Sequence, residues 1–452
     1  MSESGPLPPS TAMFTDLYEL TMAQAYWHDR SDQTAVFELF YRRLPGDRHW
    51  ILATGLDDAL EAIERFRFTD EDIDYLRNQG LFREDFLEYL RSFRFTGDAY
   101  ALPEGTLVFP QQPLIQIVAP LLEAQLIETL LLNRFHFASL VASKAARIVL
   151  AAQGRTVVDF GSRRSHGIDA ALTMARATYL AGGAGTSLVE AGEKFGIPIF
   201  GTMAHSYIQA HTSEREAFRT FIKLFPGTTL LVDTYDTLGG VEEVIALSRE
   251  MEGEFDVGAV RLDSGDLLEL SLRTRSRLDE AGLRNVRIFA SGDLNEHKIA
   301  RLLAAGAPID GFGVGTSLAV CEDAPALDVV YKLVEYAGNP VTKLSTGKVV
   351  YPARKQVFRQ FEGGRMTRDI LAHQAEDLPG EPLLQPVMRQ GQRFDAARRS
   401  LKEIRDHVKQ EIQRLPEELR SLEGTASYPV EISARLLEEL ETLRRHREVG
   451  AR

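Results

Sequence analysis

The chain is 452 residues long, 44% hydrophobic and 26% charged, which is enough apolar material for two or three domains. Its 52 Lys and Arg against 65 Asp and Glu give a formal net charge of −13 at pH 7. Such a balance offers no global positive field to nucleic acid or anionic lipid, so an anionic substrate has to be held by local groups. The single cysteine, Cys321, excludes an intramolecular disulfide and a cysteine-based zinc site.

The opening MSESGPLPPSTAMF lacks the order of a secretory signal and the arginines of a transit peptide, and reads as a short flexible lead. Apolar positions at helical spacing predict a helix over 15–27, followed by the extended AVFELFYRRLP and a carboxylate-rich helix over 56–66. Short apolar runs punctuated by Gly and Pro in TGDAYALPEGTLVFPQQPLIQIVAP predict a small antiparallel β unit. The most apolar helical stretch, 121–132, is broken by Glu123, Gln125 and Glu128, too short and too polar to span a bilayer. A cytoplasmic protein with no membrane or nucleic-acid partner is the expectation. Residues 1–130 thus read as an α+β domain.

The rhythm then changes to short strands followed by polar turns and long amphipathic helices, the pattern of βα units around a parallel sheet. Strands are predicted at 156–159, 197–200, 229–232, 258–262, 286–290 and 309–312. An irregular parallel α/β barrel over 131–345 is preferred to an open doubly wound sheet, because no strand is followed by a dinucleotide fingerprint and all six carry polar groups at the same end. After about Ser345 the chain reads as basic and irregular, then charged and helical over 398–447 with a break at 424–429. This last segment, 346–452, is expected to pack on the N-terminal domain.

The turns after the six strands read DFGSRRSHG (159–167), FGTMAH (200–205), DTYD (233–236), RLDSGD (261–266), SGD (291–293) and GVGTS (313–317). In a barrel they converge on one face, although any one of them suits an ordinary chain reversal as well. The glycines of GVGTS let backbone approach an anion, and Thr316 and Ser317 can cap the next helix, whose N-terminus favours phosphate. RLDSGD and SGD set carboxylates beside small residues, which suits ribose hydroxyls or a magnesium ion on diphosphate, while Arg261 adds a forked donor. Capped turns with an internal salt bridge, or a sugar-phosphate lyase, use the same residues. His205 is a nitrogen nucleophile able to accept a phosphoryl group, or a satisfied structural histidine.

In order along the chain, TDLYELTMAQAYW, FELFYRRLP, DFGSRRSHG, GTMAHS, RLDSGDL, FGVGTS and PARKQVFR resemble the nicotinate phosphoribosyltransferase family. The resemblance implies a type II phosphoribosyltransferase fold. It also implies transfer of phosphoribose from 5-phosphoribosyl 1-diphosphate to nicotinate in NAD salvage, with Mg2+ as cofactor and ATP as co-substrate. His205 matches the histidine that is phosphorylated. Tyr18, Phe160, Arg163, Ser187, Thr202 and Arg261 match the nicotinate site; Asp263, Ser264, Gly292, Asp293, Gly313, Gly315 and Thr316 match the phosphoribosyl diphosphate site. Direct metal ligands are not assigned. Tyr18 reaches the ring from the other subunit in the family, which implies a homodimer. Ser187 replaces an aspartate of the similar nicotinamide enzymes and so favours the acid, since a hydroxyl can donate to a carboxylate that an aspartate repels. A quinolinate enzyme is disfavoured because the phosphohistidine motif is present.

Overall fold

The computed structural model describes residues 11–29, 33–344 and 349–450; the first ten residues of the lead and the 345–348 stretch lie outside them. The chain forms two compact units, one from the residues up to Leu140 with those from Ala326 onward, the other from Val141–Pro325.

In the first unit the strand Thr34–Tyr41 is buried at every position but its first, as a continuous apolar run requires. It pairs antiparallel with Pro113–Pro120 and Val329–Tyr336 at the centre of a seven-stranded sheet. The helix expected over 15–27 is Leu17–His28, with Asp16 at its N-cap. The region after 345 is largely β rather than irregular. Lys355–Glu362 and Arg365–His373 form an antiparallel pair within a four-stranded sheet. Charged residues disguise these strands, but three of the charges, on Lys355, Arg359 and Asp369, face inward: Lys355 meets Glu38 at 2.7 Å, and Arg359 meets Asp369 at 2.8 Å and Glu411 at 2.7 Å. Helices Leu401–Arg414 and Ala434–Gly450 follow, and the break between them is wider than 424–429 and holds a short strand, Val430–Ile432.

The second unit carries six strands, β1 (Thr156–Asp159), β2 (Gly185–Thr186), β3 (Thr228–Leu231), β4 (Val257–Leu262), β5 (Arg287–Ala290) and β6 (Gly311–Val314). All neighbours are parallel, in the order β2-β1-β6-β5-β4-β3. The ladder has two edges, so the expected barrel is a half-barrel. The strand expected at 197–200 is reduced to a bridge between Ile199 and Thr186, and β2, which is not among the strands predicted from the sequence, takes the place in the sheet. Pro198 has no N–H to extend a ladder, and Phe200 N and Pro198 O bond Thr186 alone. The last strand lies two residues later than expected, which moves Gly313 out of its loop and into β6.

Candidate active site

The C-terminal ends of β1, β4, β5 and β6 hold a connected set of polar and aromatic groups. Parallel register sets Arg261 on β4 beside Phe289 on β5 and Leu231 on β3. The Arg261 guanidinium donates from Nε to Ser291 Oγ (2.7 Å), from one terminal nitrogen to Asp263 (2.7 Å) and from the other to Thr202 Oγ1 (3.3 Å). Its carbon also lies 5.5 Å from the centroid of the Phe160 ring, within cation–π range. Burial pushes the Asp263 carboxyl up, but the Ser291 hydroxyl and Arg261, with a smaller contribution from His205, outweigh it and hold the group below the usual carboxylate range. Asp263 is therefore a fixed negative charge.

Asp233, just past β3, links this set to His205. One of its oxygens accepts from Asp263 N (3.0 Å) and from the Ser264 hydroxyl (2.6 Å), and the other is buried without a hydrogen-bond partner. His205 opens the short helix His205–Gln209, with Nδ1 3.2 Å from the Thr234 hydroxyl. Among the described residues its Nε2 has no hydrogen-bond partner.

Phe160 leaves β1 with its N–H bonded to Val314 O (2.9 Å), and its ring packs tilted against Phe289 at 5.9 Å. Asp159 below it is sealed: Gly161 N–H and the Thr186 hydroxyl each donate to it at 2.7 Å. Burial pushes its carboxyl up to about 6 although those two bonds pull the other way. Gly292 has φ +90°, and a β-carbon there would sit 1.8 Å from Asp263 O, so only glycine lets the two loops touch.

Several expected site residues stand apart from this set. Arg163 is exposed in a one-turn helix, and among the described residues its side chain has no partner. Ser187 is half-buried and is fixed through its backbone N–H to Asp159 O. Asp293 is exposed and pairs with Lys298. Gly315, not a hydroxyl residue, is the N-cap of Thr316–Val320; Thr316 is exposed as the first helical residue and Ser317 is buried, so neither caps the helix. Tyr18 belongs to the first unit, where its side chain is 47% exposed and burial, Glu128 and Glu19 push its phenol up. Asp159, Asp233, Thr234 and Ser291 lie within the strand-end turns read from the sequence, but none of them is given a role there. A usable signal was there, since TVVD, LLVD and VRLD each bring an apolar strand to an aspartate.

The model of the nicotinate phosphoribosyltransferase (NAPRTase) family matches residues 156–360, that of the NAPRTase N-terminal domain matches 13–135, and that of the C-terminal domain matches 375–440. Nicotinate phosphoribosyltransferase pncB2 of Mycobacterium tuberculosis is 58% identical over 96% of this chain and 94% of its own length. The chain belongs to the nicotinate phosphoribosyltransferase family. Nicotinate phosphoribosyltransferase of Bacillus subtilis is 43% identical over 79% of this chain and 75% of its own. The crystal structure of human nicotinic acid phosphoribosyltransferase superposes with a TM-score of 0.84 at 31% identity, covering 95% of this chain and 99% of the human one. A nicotinate-nucleotide pyrophosphorylase from Pyrococcus furiosus gives 0.75 at 25% identity, covering 92% and 99%. The fold is that of the type II phosphoribosyltransferases, whose two units here are an α+β unit and a unit built on a parallel sheet.

Proposed function

We propose that this protein transfers phosphoribose from 5-phosphoribosyl 1-diphosphate to nicotinate, coupled to ATP through a phosphohistidine at His205, and that it does so in the NAD salvage route of the cytoplasm. The observation that carries the reading is the Arg261 guanidinium, oriented by Asp263, Ser291 and Thr202 over the Phe160 ring. A flat anionic aromatic fits against that ring and that charge. Arg163 and Ser187 serve the carboxylate, and Tyr18 of a second copy closes the other face of the pyridine in a homodimer.

The pyridine nitrogen bonds to the ribose carbon as the carbon–oxygen bond to diphosphate breaks and its electron pair leaves with diphosphate. Positive charge develops on the ribose, and Asp263, ionised and held in place, faces it without reorganising. Ser264, Gly292, Asp293, Gly315 and Thr316 hold the phosphoribosyl diphosphate. Gly313 serves indirectly, from within the strand. The donor set suits magnesium brought in on diphosphate, since Mg2+ takes one or two carboxylates and completes its shell with phosphate oxygens and water. Among the described residues no cluster of three or more ligating side chains could hold a metal by itself, while Asp233 keeps an unpartnered carboxylate oxygen next to Asp263. Asp233 and Asp263 would hold a magnesium ion, which would supply positive charge to the diphosphate leaving group. Nε2 of His205 attacks the terminal phosphorus of ATP and ADP leaves; water later takes the phosphoryl group, releasing phosphate and restoring the imidazole.

The test incubates the protein with Mg2+, 5-phosphoribosyl 1-diphosphate and, in turn, nicotinate, nicotinamide and quinolinate, with and without ATP, and separates the products. Nicotinate alone should give its mononucleotide, faster with ATP; turnover of nicotinamide but not nicotinate overturns the assignment. In the same assay His205→Ala should lose ATP stimulation and labelling from γ-labelled ATP while keeping weak ATP-independent synthesis. Full labelling of that variant removes His205 from the coupling step.

A further inference from the structure

The second unit contains a buried ion cluster that the chemistry above does not use. Lys144, on the helix Glu128–Ala151, is 2% exposed and lies 2.7 Å from Glu296 and 2.7 Å from Asp323. Arg147, one turn along the same helix, adds a second cation 3.3 Å from Glu296. Taking an ammonium out of water costs several kcal/mol unless carboxylates compensate it, so such a cluster holds its members at fixed separations. Glu296 is the fully buried first residue of the helix Glu296–Ala304, three residues past Asp293. Burial pushes its carboxyl up, but the charge of Lys144 prevails and holds it below the usual range. Asp323 lies just past the helix Thr316–Val320, where Cys321 takes φ +45° and turns the chain. A hydrogen bond joins the same two stretches of chain, from Asn295 Nδ2 to the Glu322 carboxylate at 3.4 Å.

We infer that Lys144, Glu296 and Asp323 form a clamp that fixes the spacing of the 292–293 and 313–316 segments, and so positions the groups that hold 5-phosphoribosyl 1-diphosphate. The inference rests on the reading of those segments given above. Strands β5 and β6 are tied by backbone bonds only as far as Ala290 and Phe312. Both segments extend beyond that last rung, and the cluster, together with the Asn295–Glu322 bond, links the chains that leave them. A ligand gripped from both sides is sensitive to their separation, because a misplacement of about 1 Å can cost on the order of 100-fold in rate. Lys144, Glu296 and Asp323 are positioning residues; none of them is asked to touch substrate.

Asp323→Asn is the cleanest variant, because that side chain is 30% exposed and the amide keeps its shape. It should raise the KM for 5-phosphoribosyl 1-diphosphate on the order of tenfold and weaken its direct binding by the same factor, with the KM for nicotinate and the melting temperature nearly unchanged. Lys144→Met should do more, and Lys144→Arg, which keeps the charge, should recover part of the loss. Unchanged affinity for 5-phosphoribosyl 1-diphosphate in folded Asp323→Asn overturns the clamp, as does a parallel rise of both KM values with a lowered melting temperature. If the unaltered protein itself does not bind 5-phosphoribosyl 1-diphosphate, the reading of the two segments falls and the clamp falls with it. Binding by the unaltered protein that is the same in the variant sinks the clamp alone.

Discussion

Asp159 closes β1 with its carboxylate out of solvent, and it is there to organise backbone rather than to meet a ligand: it receives Gly161 N–H and the Thr186 hydroxyl, and its own carbonyl takes Ser187 N–H. Burial lifts the carboxyl from its ordinary 3.8 to about 6. The folded state therefore binds more protons than the unfolded chain between about pH 4 and 6. The sign follows: the stabilisation is complete below pH 4 and is lost as pH rises through 6. Asp159→Asn removes the titration and keeps an oxygen for Gly161. Between pH 4 and pH 7 the unfolding free energy of the unaltered protein should fall relative to the variant by on the order of 2 to 3 kcal/mol, read from urea midpoints. Parallel pH profiles would mean that Asp159 stays ionised in the fold.

At the scale of strands and loops, the sequence predicted the βα rhythm well because each strand pairs with neighbours from the same run of chain. It failed where pairing depends on something local patterning does not show. β2 is two residues long and exists because Thr186 bonds both Asp159 and the backbone around Pro198. Lys355–Glu362 is masked by charges that are visible as core residues only once Glu38, Asp369 and Glu411 are in place. The site was legible as motifs, and its internal wiring was not: RLDSGD and SGD are both present in the sequence, but not the Arg261–Ser291–Asp263 triangle. Gly313 makes the same point. Inside β6 its missing side chain leaves room for the Phe160 ring, since a β-carbon there would fall 2.4 Å from it. Gly313→Ala should push Phe160 from beneath Arg261 and raise the KM for nicotinate on the order of tenfold, with little change for 5-phosphoribosyl 1-diphosphate. A rise confined to the phosphate substrate would return Gly313 to the role its motif suggests.

At the scale of the whole molecule, the first unit is assembled from both ends of the chain, and its stability depends on contacts between residues hundreds of positions apart. Arg359 is their hub: fully buried, it pairs with Asp369 and Glu411 and donates to Leu107 O at 2.7 Å. Glu411 accepts from Leu107 N–H, and Asp369 accepts from Gln112 and from Tyr428, whose ring stacks on Phe109 at 3.9 Å. Removing one partner of such a network leaves buried charge uncompensated, a loss of about 3 to 5 kcal/mol, whereas a surface pair is worth at most about 1. The chain has two tryptophans, Trp27 and Trp50, both in this unit, and Trp50 is buried with its indole N–H on Leu419 O at 3.0 Å. Tryptophan fluorescence thus follows the unit that contains Arg359. Arg359→Met should move the fluorescence-detected urea transition down by about 3 to 5 kcal/mol, and Arg359→Lys should recover little, because one ammonium nitrogen cannot stand in for the three guanidinium nitrogens that meet Asp369, Glu411 and Leu107 O separately. Arg368 pairs with Glu431 at the surface, so Arg368→Met serves as the control and should cost at most about 1 kcal/mol. Equal shifts in the two arginine-to-methionine variants would show that the buried network adds nothing beyond a surface pair.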